Sequence, residues 1–491
     1  MKKVVLFYPS NKFGGSVQSR VELPLGLLAI GSPLARQGYD VKIIDQRRDA
    51  GWREALSGEL ASGPICLGIS AMTGPQIRNG IEAARMGKAA AVPVIWGGIH
   101  ATLLPRQTVE HPAVDVVVEG EGEDTFFELV QALESGRPLA EVHGLWWKQD
   151  GQARGSGPRP YLDLNRQEPL AYDLVKLSDY LIDVFGRGHI SLETSRGCPF
   201  RCSYCYNTRV YGGTWRSLSV DEAMRRIRLL VREHGVQGIL FTDDNFFGKQ
   251  KWALEVLRRI VDERLDVTVS KIDAHVSSFA RLTDDELRLL ARAGCKMVMM
   301  GIESGSPRIL RLLNKPTRIP ELLALNRRLR GSGVRPHYFF MMGFPGETED
   351  DLRQTLALKT QLSRDNPEGV PRFNIFTAFP GTPLYEECLK QGLRPPERLE
   401  DWVTFNYRTV NDRAVWLSDE QKGMIRMLHF ATLLAERNNF INPYKKTPWW
   451  VKLAASVYLP VARFRVENTF HRFPLDLKLA EWLGVYPKQG A

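Results

Sequence analysis

The sequence predicts an α/β protein in which an amino-terminal doubly wound parallel sheet precedes a partial (β/α)6 barrel and a mainly helical carboxyl-terminal region. Three observations predict this fold class. Short β-rich runs alternate with helical patterns over the first 145 residues, as in doubly wound sheets. Six further strand-like runs, each followed by a helical stretch, lie between residues 186 and 390. The remaining residues lack this alternation and are rich in Trp and Tyr.

The chain has 491 residues, more than one hydrophobic core usually organises, so several domains are expected. Glycines and a proline interrupt any long element between residues 146 and 185, which is typical of a linker. The predicted domains are 1–145, a linker at 146–185, the barrel domain at 186–390, and a helical substrate-binding or lid region at 391–491.

Strands of the first domain are predicted at residues 4–8, 41–45, 65–70, 92–96 and 114–119. Those of the barrel are predicted at residues 190–193, 238–242, 267–272, 296–302, 334–342 and 372–377. Two barrel helices open with capping boxes, in which a hydroxyl and a carboxylate each satisfy an amide that the helix leaves free. These pairs are Ser219 with Glu222 and Thr283 with Glu286.

Composition excludes several function classes. The formal net charge is +10, but the basic residues are scattered along the chain, so we expect no nucleic-acid binding. Six cysteines in 491 residues are too few for the disulfide framework of a secreted protein. The apolar run near the start is too short for a signal peptide, and no apolar stretch reaches the roughly 18 residues of a membrane span. These features predict a cytoplasmic protein.

Cys198, Cys202 and Cys205 form a C-x3-C-x2-C motif directly after the first barrel strand. Three thiolates on one loop can bind three irons of a [4Fe–4S] cubane, which leaves the fourth iron open to a small chelating ligand. A structural zinc site would require four protein ligands, and no fourth Cys or His lies near. The other candidates are single and far apart, and we interpret them as buried side chains: His189, Cys66, Cys295 and Cys388.

This motif, with Tyr204 before its third cysteine and the barrel pattern around it, resembles the radical S-adenosylmethionine superfamily over about residues 190–389. The resemblance implies that the open iron binds the amino and carboxylate groups of S-adenosylmethionine. One electron from a reducing partner, such as flavodoxin or ferredoxin, then cleaves this molecule into methionine and a 5′-deoxyadenosyl radical. The cofactor supplies the difficult chemistry, and the protein positions it.

The same resemblance places S-adenosylmethionine contacts on the loops that follow the strands, with Glu303 holding the ribose hydroxyls. The implied contacts are Tyr204, Asp243, Asp244, Asn245, Glu303 and Ser304. Acidic residues also suit helix amino termini, so capping is the alternative role for Asp243, Asp244 and Glu303. The loop at residues 343–348 is also typical of this group, although its glycines would equally serve a turn.

Small and hydroxyl-bearing residues end the strands of the first domain, where paired glycines let the backbone approach a ligand closely. From the residues alone, this predicts a site the size of a nucleotide or a cofactor. The segments at 24–27, 70–73, 97–100 and 118–123 together resemble the Rossmann-like cobalamin-binding domain of a large radical S-adenosylmethionine subfamily, over about residues 1–135. The implied cobalamin contacts are Ser70, Thr73, Gly97, Gly98, His100, Glu119 and Gly120.

One departure concerns the lower ligand of cobalt. Many cobalamin-binding domains carry D-x-H-x-x-G, whose histidine binds the metal, whereas residues 45–51 of this chain read DQRRDAG. The loop offers no histidine, as in many members of the subfamily, and weakly ligated cobalt suits the loss of a methyl group. We expect His100 to be a loop histidine hydrogen-bonded to the backbone rather than a replacement for that ligand.

Residues 445–473 combine Trp and basic residues with an apolar run that is too short to span a membrane. This segment would either lie in a membrane interface or pack over the barrel mouth and close it over the substrate, and packing is favoured. Either arrangement suits an apolar or lipid-like small-molecule substrate. The predicted location is the cytoplasm, with peripheral contact at the inner membrane face as the second alternative.

Taken with the resemblance, these features predict a cobalamin-dependent radical enzyme that methylates an unactivated carbon by means of a 5′-deoxyadenosyl radical and methylcobalamin. The first alternative uses the same cofactors for oxidative cyclisation, as anaerobic magnesium-protoporphyrin monomethyl ester cyclases do, or for a ring rearrangement. An alternative of another class is a non-catalytic corrinoid sensor or carrier. No residue is assigned to quenching the product radical, because packing equally explains Tyr338, His337 and Tyr206.

Overall fold

The computed structural model describes residues 2–11, 21–184, 186–405, 413–436, 449–484 and 486–487, without the side chains of residues 450 and 451. The chain forms two compact units. The first consists of Met1–Leu181 with Pro395–Asn406, and the second of Ile182–Arg394 with Tyr407–Ala491.

The strands of the first unit are β1 (Lys3–Tyr8), β2 (Asp40–Asp45), β3 (Leu67–Ser70), β4 (Val94–Gly97), β5 (Val116–Val118), β6 (Leu145–Gln149) and β7 (Gln152–Gly155). They form one sheet in the order β2-β1-β3-β4-β5-β6-β7. β1 to β5 are parallel, and β6 and β7 continue the sheet in antiparallel fashion. Each predicted strand of this domain overlaps an observed one, which confirms the doubly wound sheet.

The helices of the first unit are α1 (Leu25–Arg36), α2 (Trp52–Ala61), α3 (Pro75–Ala89), α4 (Ile99–Leu103), α5 (Pro105–Glu110) and α6 (Glu123–Ser135). Apolar side chains of α1 and α6, among them Leu27 and Phe126, form a buried cluster with Leu6 of β1 and Ile95 of β4. This helix layer covers one face of the sheet. In doubly wound sheets a ligand binds at the carboxyl ends of the strands, so this edge is where a ligand can bind.

Part of the range interpreted as a linker, residues 146–185, is strand instead. Asp150 and Gly151 adopt φ angles of +52° and +73°, which a two-residue hairpin turn requires at both central positions. The glycine interpreted as a break in structure therefore joins β6 to β7, and the hairpin extends the sheet.

The parallel strands of the second unit are β9 (Arg187–Leu192), β12 (Gly238–Phe241), β13 (Thr268–Asp273), β14 (Met297–Glu303), β15 (Arg335–Met342) and β16 (Val370–Ile375). With β8 (Ile182–Val184) antiparallel at the edge, they form a sheet in the order β16-β15-β14-β13-β12-β9-β8. A separate hairpin pairs β10 (Ser195–Gly197) with β11 (Trp215–Ser217). Six parallel strands are observed where six were predicted, so the half-barrel is confirmed.

The helices of the second unit are α7 (Asn207–Val210), α8 (Val220–Arg228), α9 (Gln250–Asp262), α10 (Val276–Phe279), α11 (Asp284–Arg292), α12 (Pro307–Leu312), α13 (Ile319–Leu329), α14 (Glu349–Asp365), α15 (Pro383–Lys390), α16 (Asp419–Leu434), α17 (Trp449–Glu467) and α18 (Leu475–Trp482). The capping box of Thr283 and Glu286 is present, and Ser219 Oγ accepts the Glu222 amide.

The carboxyl-terminal region is helical in α16, α17 and α18, as predicted. Its first part differs, because Pro395–Asn406 belongs to the first unit. Residues 445–448 of the segment predicted for membrane contact or packing lie outside the described residues. No helix within the described ranges has the length and apolar character that crossing a membrane requires.

The two faces of the second sheet differ in exposure. Val298, Met300 and Ile302 of β14 are fully buried, whereas Met299 and Gly301 on the opposite face are partly exposed. The same alternation occurs in most of β15 and in β16, where the partly exposed residues are Arg335, Phe339, Met341, Arg372 and Asn374. The inward face of a half-barrel sheet lines a space, so residues on that face are partly exposed. The face that carries Met299 and Gly301 is therefore the concave face, and it can receive a ligand.

Asn326 of α13 fastens β15 to the helices on the other face. The Tyr338 hydroxyl donates to Asn326 Oδ1 (2.7 Å), and Asn326 Nδ2 donates to the Leu362 carbonyl (2.9 Å). Tyr338 and Asn326 are both buried, so neither group has water as a substitute partner. Tyr338 therefore belongs to the packing of the helix layer.

Asn326→Ala is expected to lower the free energy of unfolding by about 3 kcal/mol, because it removes both side-chain hydrogen bonds and leaves the Tyr338 hydroxyl without a partner. Tyr338→Phe removes one of these bonds and is expected to cost about 1 kcal/mol. Urea unfolding midpoints of the two variants and the wild type measure the difference. Equal losses in the two variants would contradict this account of the network.

Candidate active site

The cysteine loop is entered through the hairpin β10–β11. Gly197 directly precedes Cys198 and has a φ of +82°, which favours glycine. A Cβ at this position would lie 2.2 Å from the Thr214 carbonyl oxygen, so any larger residue would separate the two strands of the hairpin. The sequence Arg-Gly-Cys therefore fixes the direction in which the chain leaves the sheet.

Three consecutive side chains after β12, those of Asp243, Asp244 and Asn245, hold the entry to this loop. Asp243 accepts hydrogen bonds from the Thr194 amide (2.6 Å), the Thr194 hydroxyl (2.7 Å) and the Ser195 amide (2.6 Å). Asp244 Oδ2 accepts the Gly197 amide at 2.9 Å. Asn245 Nδ2 lies 3.6 Å from Cys198 Sγ, within hydrogen-bonding distance of sulfur. We refer to these three residues as the β12 anchor.

Other contacts hold the far side of the loop. The Ser203 amide donates to the Leu313 carbonyl (2.9 Å), and Asn314 Nδ2 donates to the Arg201 carbonyl (2.8 Å). The Phe200 ring stacks on His275 with 3.7 Å between ring centroids. The loop thus bridges the ends of β12, β13 and β14, which places the cysteines at the carboxyl edge of the sheet, as predicted from their position after the first strand.

Burial raises the pKa of all three thiols, to about 12 for Cys205. Each thiolate therefore needs positive charge nearby, which bound iron supplies. Within the described residues, no three His, Cys, Asp or Glu side chains converge on a single metal position. A mononuclear zinc site needs such convergence at about 2.3 Å from the metal, whereas a cubane takes one thiolate on each of three irons. The donor set therefore fits the cubane.

Tyr204 connects the cysteine loop to the end of β14. Its hydroxyl donates to Glu303 Oε1 at 2.7 Å, and Lys315 Nζ donates to the same oxygen at 2.8 Å. Glu303 and Lys315 are buried, and Tyr204 is partly buried. Glu303 has a φ of +68°, which is uncommon outside glycine and costs of order 1 kcal/mol or more unless its surroundings enforce it. Strain held at a buried carboxylate beside the cysteines is a mark of a functional site.

Lys315 is a residue that the sequence analysis missed. Burial alone would lower the pKa of its ammonium group, but the neighbouring Glu303 carboxylate and Cys202 outweigh burial, and the pKa is raised. Lys315 therefore stays charged next to the cysteine loop. Nothing in the segment Asn314-Lys315-Pro316 distinguishes it from a surface lysine, because its partner lies on another strand.

Three further residues named in the sequence analysis, Ser304, Tyr206 and His337, differ in their surroundings. Ser304 Oγ lies 3.0 Å from Thr355 Oγ1 and accepts the Ser306 amide, so its side chain is directed at α14. The Tyr206 hydroxyl lies 3.5 Å from Asp244. His337 is buried, and neither ring nitrogen has a partner within the described part of the chain. Burial lowers the pKa of His337 to about 3, so the ring is neutral.

In the first unit, the loops after β3 and β4 meet at the carboxyl edge of the sheet. A Cβ on Gly98 would lie 2.8 Å from Ser70 Oγ and 2.9 Å from the Ala71 carbonyl, so these loops touch. Gly97 ends β4 beside them, and Thr73 follows two residues after Ala71. Ser70, Thr73, Gly97 and Gly98 are thus brought together, as the resemblance implied.

His100 is fully buried in the same cluster. Its Nδ1 lies 2.9 Å from the Thr73 hydroxyl, and its amide donates to the Ala71 carbonyl. Burial lowers the pKa of His100 to about 3, so the ring is neutral, and Nε2 has no partner within the described residues. The ring is hydrogen-bonded, as expected, but to the Thr73 hydroxyl rather than to the backbone, and His100 lies in α4 rather than in a loop.

Glu119 and Gly120 follow β5 at the same edge. Glu119 accepts the Trp146 indole N–H at 2.7 Å, which fastens β6 to the parallel strands. The Gly120 amide donates to Thr102 Oγ1, and the space around its Cα is open. Glu119 therefore serves the sheet, while Gly120 leaves room at its edge.

Residues 45–47 are the segment that the resemblance aligns with the cobalt-binding histidine motif. The Arg47 guanidinium donates to Asp45 at 2.6 and 2.9 Å and lies over the Tyr8 ring. Tyr180 also donates to Asp45. A guanidinium has no lone pair to offer a metal, and this one is fully engaged, so the loop has become a structural ion pair.

The first unit also contains a segment that no sequence signal indicated. In Pro395–Asn406, Trp402 Nε1 donates to Gln107 Oε1 (2.7 Å), and Gln107 Nε2 donates to the Pro396 carbonyl (2.8 Å). The Trp402 ring packs edge-on against His100 with 5.7 Å between ring centroids. We call these residues the return segment. It covers the His100 side of the predicted cobalamin edge.

Comparison with known proteins bears on these two sites. The family model of the radical SAM superfamily matches residues 192–358, and that of the B12 binding domain matches residues 16–130. An uncharacterized methyltransferase of Pyrococcus horikoshii is 32% identical over 398 residues, which cover 80% of this chain and 84% of the relative. The chain belongs to the cobalamin-dependent radical S-adenosylmethionine family. It is therefore an enzyme rather than a corrinoid sensor or carrier.

Two further relatives in this family differ in the reaction that their names state. Cytidylyl-2-hydroxyethylphosphonate methyltransferase of Streptomyces wedmorensis is 28% identical, over 85% of this chain and 88% of its own. An anaerobic magnesium-protoporphyrin IX monomethyl ester cyclase of Synechocystis is 27% identical, over 89% and 92%. The radical enzyme OxsB, solved with aqua-cobalamin and S-adenosylmethionine, superposes with a TM-score of 0.73 at 17% identity, covering 99% of this chain and 75% of that one. OxsB thus has the same fold.

The two matched domains confirm the expected cofactors of this family member, which are a [4Fe–4S] cluster with S-adenosylmethionine in the second unit and cobalamin in the first. The residues present fit both groups. The three cysteines suit a cubane. Three features suit a large cofactor at the sheet edge: open space at Gly120, a half-exposed Met72, and His100 Nε2, which no described residue partners.

Asp243→Ala is expected to reduce the iron and sulfide bound after anaerobic reconstitution to a small fraction of the wild-type amount, because it removes three hydrogen bonds that fix residues 194 and 195. Asp243→Asn keeps an oxygen acceptor for both amides and is expected to retain most of the cluster. Iron and sulfide assays per chain measure both variants. Full cluster content in Asp243→Ala would show that the anchor is not needed.

His100→Gln is expected to leave the electron paramagnetic resonance spectrum of bound Co(II) cobalamin unchanged. A nitrogen bound to cobalt splits this spectrum, and the His100 ring is held by Thr73 instead. Altered nitrogen splitting in the variant would identify His100 as a cobalt ligand. Retention of cobalamin after gel filtration serves as the control for folding.

Proposed function

We propose that this enzyme methylates an unactivated carbon of an apolar or lipid-like small molecule. Two features that occur together carry the proposal. One loop holds three cysteines, which would leave one iron of a cubane open, and the segment at Asp45 and Arg47 beside the cobalamin edge offers no ligand to cobalt. When bound, the cluster with S-adenosylmethionine supplies a 5′-deoxyadenosyl radical, and cobalamin supplies the methyl group. Two relatives whose names state methyl transfer support this reaction.

In this proposal, Cys198, Cys202 and Cys205 bind the cluster, and the β12 anchor keeps their loop in position. Glu303 holds the ribose of S-adenosylmethionine. Its support is its position, since the buried carboxylate ends β14 beside the cysteine loop and accepts a hydrogen bond from Lys315 Nζ at 2.8 Å.

The remaining predicted contacts differ in how they would act. Tyr204 orients Glu303 through its hydroxyl, so it is proposed as a positioning residue. The Ser304 side chain is engaged by Thr355, which leaves its backbone as the group that faces the cofactor. Asp243 is proposed to act through the loop that it anchors, because its two oxygens already accept three hydrogen bonds.

For cobalamin, we propose that Ser70, Thr73, Gly97, Gly98 and Gly120 line the edge against which the cofactor lies. His100 and Glu119 would act indirectly, since the first is held by Thr73 and the second by Trp146. The protein would here present a close backbone to the cofactor, and the segment at Asp45 and Arg47 would offer it no metal ligand because the two side chains pair with each other.

The proposed substrate position is the concave face of the second sheet. Met299, Phe339 and Met341 offer apolar surface there. Arg372 lies on the same face and has no acidic partner within the described residues, and a partly buried cation without a partner favours an anionic group on its ligand. These side chains support a substrate with an apolar body and one polar or anionic end.

We further propose that a one-electron donor such as flavodoxin or ferredoxin reduces the enzyme. The site of action is proposed to be the cytoplasm, in peripheral contact with the inner face of the membrane. The small-molecule substrate would then be reached from that surface.

A second candidate function is oxidative cyclisation without methyl transfer. The similarity to the Synechocystis cyclase, which extends over most of both chains, favours it. The two reactions share the radical step and differ in whether a methyl group is consumed.

Anaerobic incubation of the reconstituted enzyme with S-adenosylmethionine, hydroxocobalamin, reductant and a lipid extract is expected to yield both 5′-deoxyadenosine and S-adenosylhomocysteine, detected by mass spectrometry. The second product is expected because, without added methylcobalamin, a second S-adenosylmethionine must supply the methyl group. Cys202→Ala is expected to abolish 5′-deoxyadenosine, because one cluster ligand is lost. Cys388→Ala is the matched control, since Cys388 is a buried thiol of α15 and should leave both products in place. 5′-Deoxyadenosine without S-adenosylhomocysteine would reject methylation in favour of the cyclase reaction.

A further inference from the structure

The last two helices of the chain carry an unusual amount of exposed apolar surface. Ten of the fifteen exposed large apolar side chains in the described part of the protein lie between residues 449 and 483. Their exposed fractions range from 46% to 76%. Scattered exposed apolar residues are ordinary, but a concentration of this kind marks a surface that contacts something apolar.

In α17, the apolar residues occupy two opposite faces. Ala455, Leu459, Ala462 and Val466 recur at helical spacing and are buried, where the helix packs against α14 and α16. The exposed set also recurs at helical spacing on the other side: Trp449, Leu453, Val457, Val461 and Phe464. The inner face alone accounts for the packing of the helix, so the outer face serves another contact.

The next helix, α18, repeats this arrangement. Leu477 and Ala480 are buried, while the exposed residues on and beside the helix are Phe473, Leu475, Leu479, Trp482 and Leu483. Asp476 at its start accepts hydrogen bonds from Tyr458 and Arg465 of α17, which ties the two helices together. We call the ten exposed residues of both helices the carboxyl-terminal apolar surface.

The charges of these helices are unbalanced. Each acidic residue between 449 and 484 has a cation beside it: Glu467 with Arg364, Asp476 with Arg465, and Glu481 with Arg426. Four exposed cations have no acidic partner within the described residues, namely Lys452, Arg463, Arg472 and Lys478. The charge left uncompensated is therefore entirely positive, which matches an anionic partner.

We infer that the carboxyl-terminal apolar surface docks on the anionic leaflet of a lipid membrane. Apolar side chains with Trp at both ends suit the boundary between headgroups and acyl chains, and the unpaired cations suit anionic headgroups. The surface includes α18, which lies beyond the range predicted from sequence. The docking itself does not rest on the proposed function. The further step, in which docking brings the enzyme to a lipid-like substrate, does rest on it.

Flotation of the full-length protein with vesicles tests this inference without any substrate. The protein is expected to float with vesicles that contain phosphatidylglycerol and phosphatidylcholine, more weakly with phosphatidylcholine alone, and less at high salt. Val457→Glu combined with Phe464→Glu is expected to reduce the bound fraction about tenfold, because two carboxylates enter the apolar face. Leu181→Glu adds a carboxylate at an exposed apolar position elsewhere and should bind as the wild type does.

Arg472→Glu combined with Lys478→Glu is expected to remove the preference for anionic vesicles. Reconstituted iron content and the thermal midpoint verify that each variant is folded. Failure of the wild type to float would overturn the inference. A wild type that binds no vesicles and is a dimer, with a monomeric Val457→Glu and Phe464→Glu variant, would show that a second copy is the partner. Vesicle binding and production of S-adenosylhomocysteine are separate measurements, so failure of one leaves the other standing.

Discussion

The hydrogen bonds between the β12 anchor and the cysteine segment are the constraint on which the second unit depends. Asp243 and Asp244 accept the amides of residues 194, 195 and 197, and Asn245 reaches the first cysteine. A carboxylate that accepts several backbone amides is well satisfied even when buried, so the anchor can lie inside the protein. Burial nevertheless raises the pKa of Asp243 to about 7, so its charge is held at a cost.

A second network, on the other side of the loop, depends on the first. Tyr204 can meet Glu303 only if its loop leaves the sheet in the direction that Gly197 and the anchor set. Lys315 then neutralises Glu303, and the strained φ of Glu303 is tolerated because two donors hold its carboxylate. Geometry at the cysteines and charge at the proposed cofactor site are therefore coupled through one loop.

Local patterns predicted much of this molecule. The strands, the order of the two domains and the cysteine loop all follow from short-range signals, which are spacing, alternation and turn residues. The resemblance implied that Asp243, Asp244 and Glu303 contact S-adenosylmethionine, but it did not indicate their hydrogen bonds within the protein, because a carboxylate after a strand suits a cap, an anchor and a ligand contact equally well. Lys315 and Trp402 escaped notice since their partners, Glu303 and Gln107, are distant in sequence. The sequence predicted a linker at Asp150 and Gly151 because such residues are common both in hairpin turns and in linkers.

The return segment makes the first unit discontinuous, and this affects the order in which the protein is built. Residues 182–394 are synthesised between the two parts of that unit. When the first 181 residues have left the ribosome, Gln107 still lacks the carbonyls of Pro396 and Glu397, and His111 lacks Glu400. Domains usually fold as they emerge, from the amino terminus onward. Here the side of the sheet next to His100 is completed only after residues 182–394 of the radical domain have been synthesised. The cobalamin domain therefore cannot finish folding before the radical domain has been synthesised.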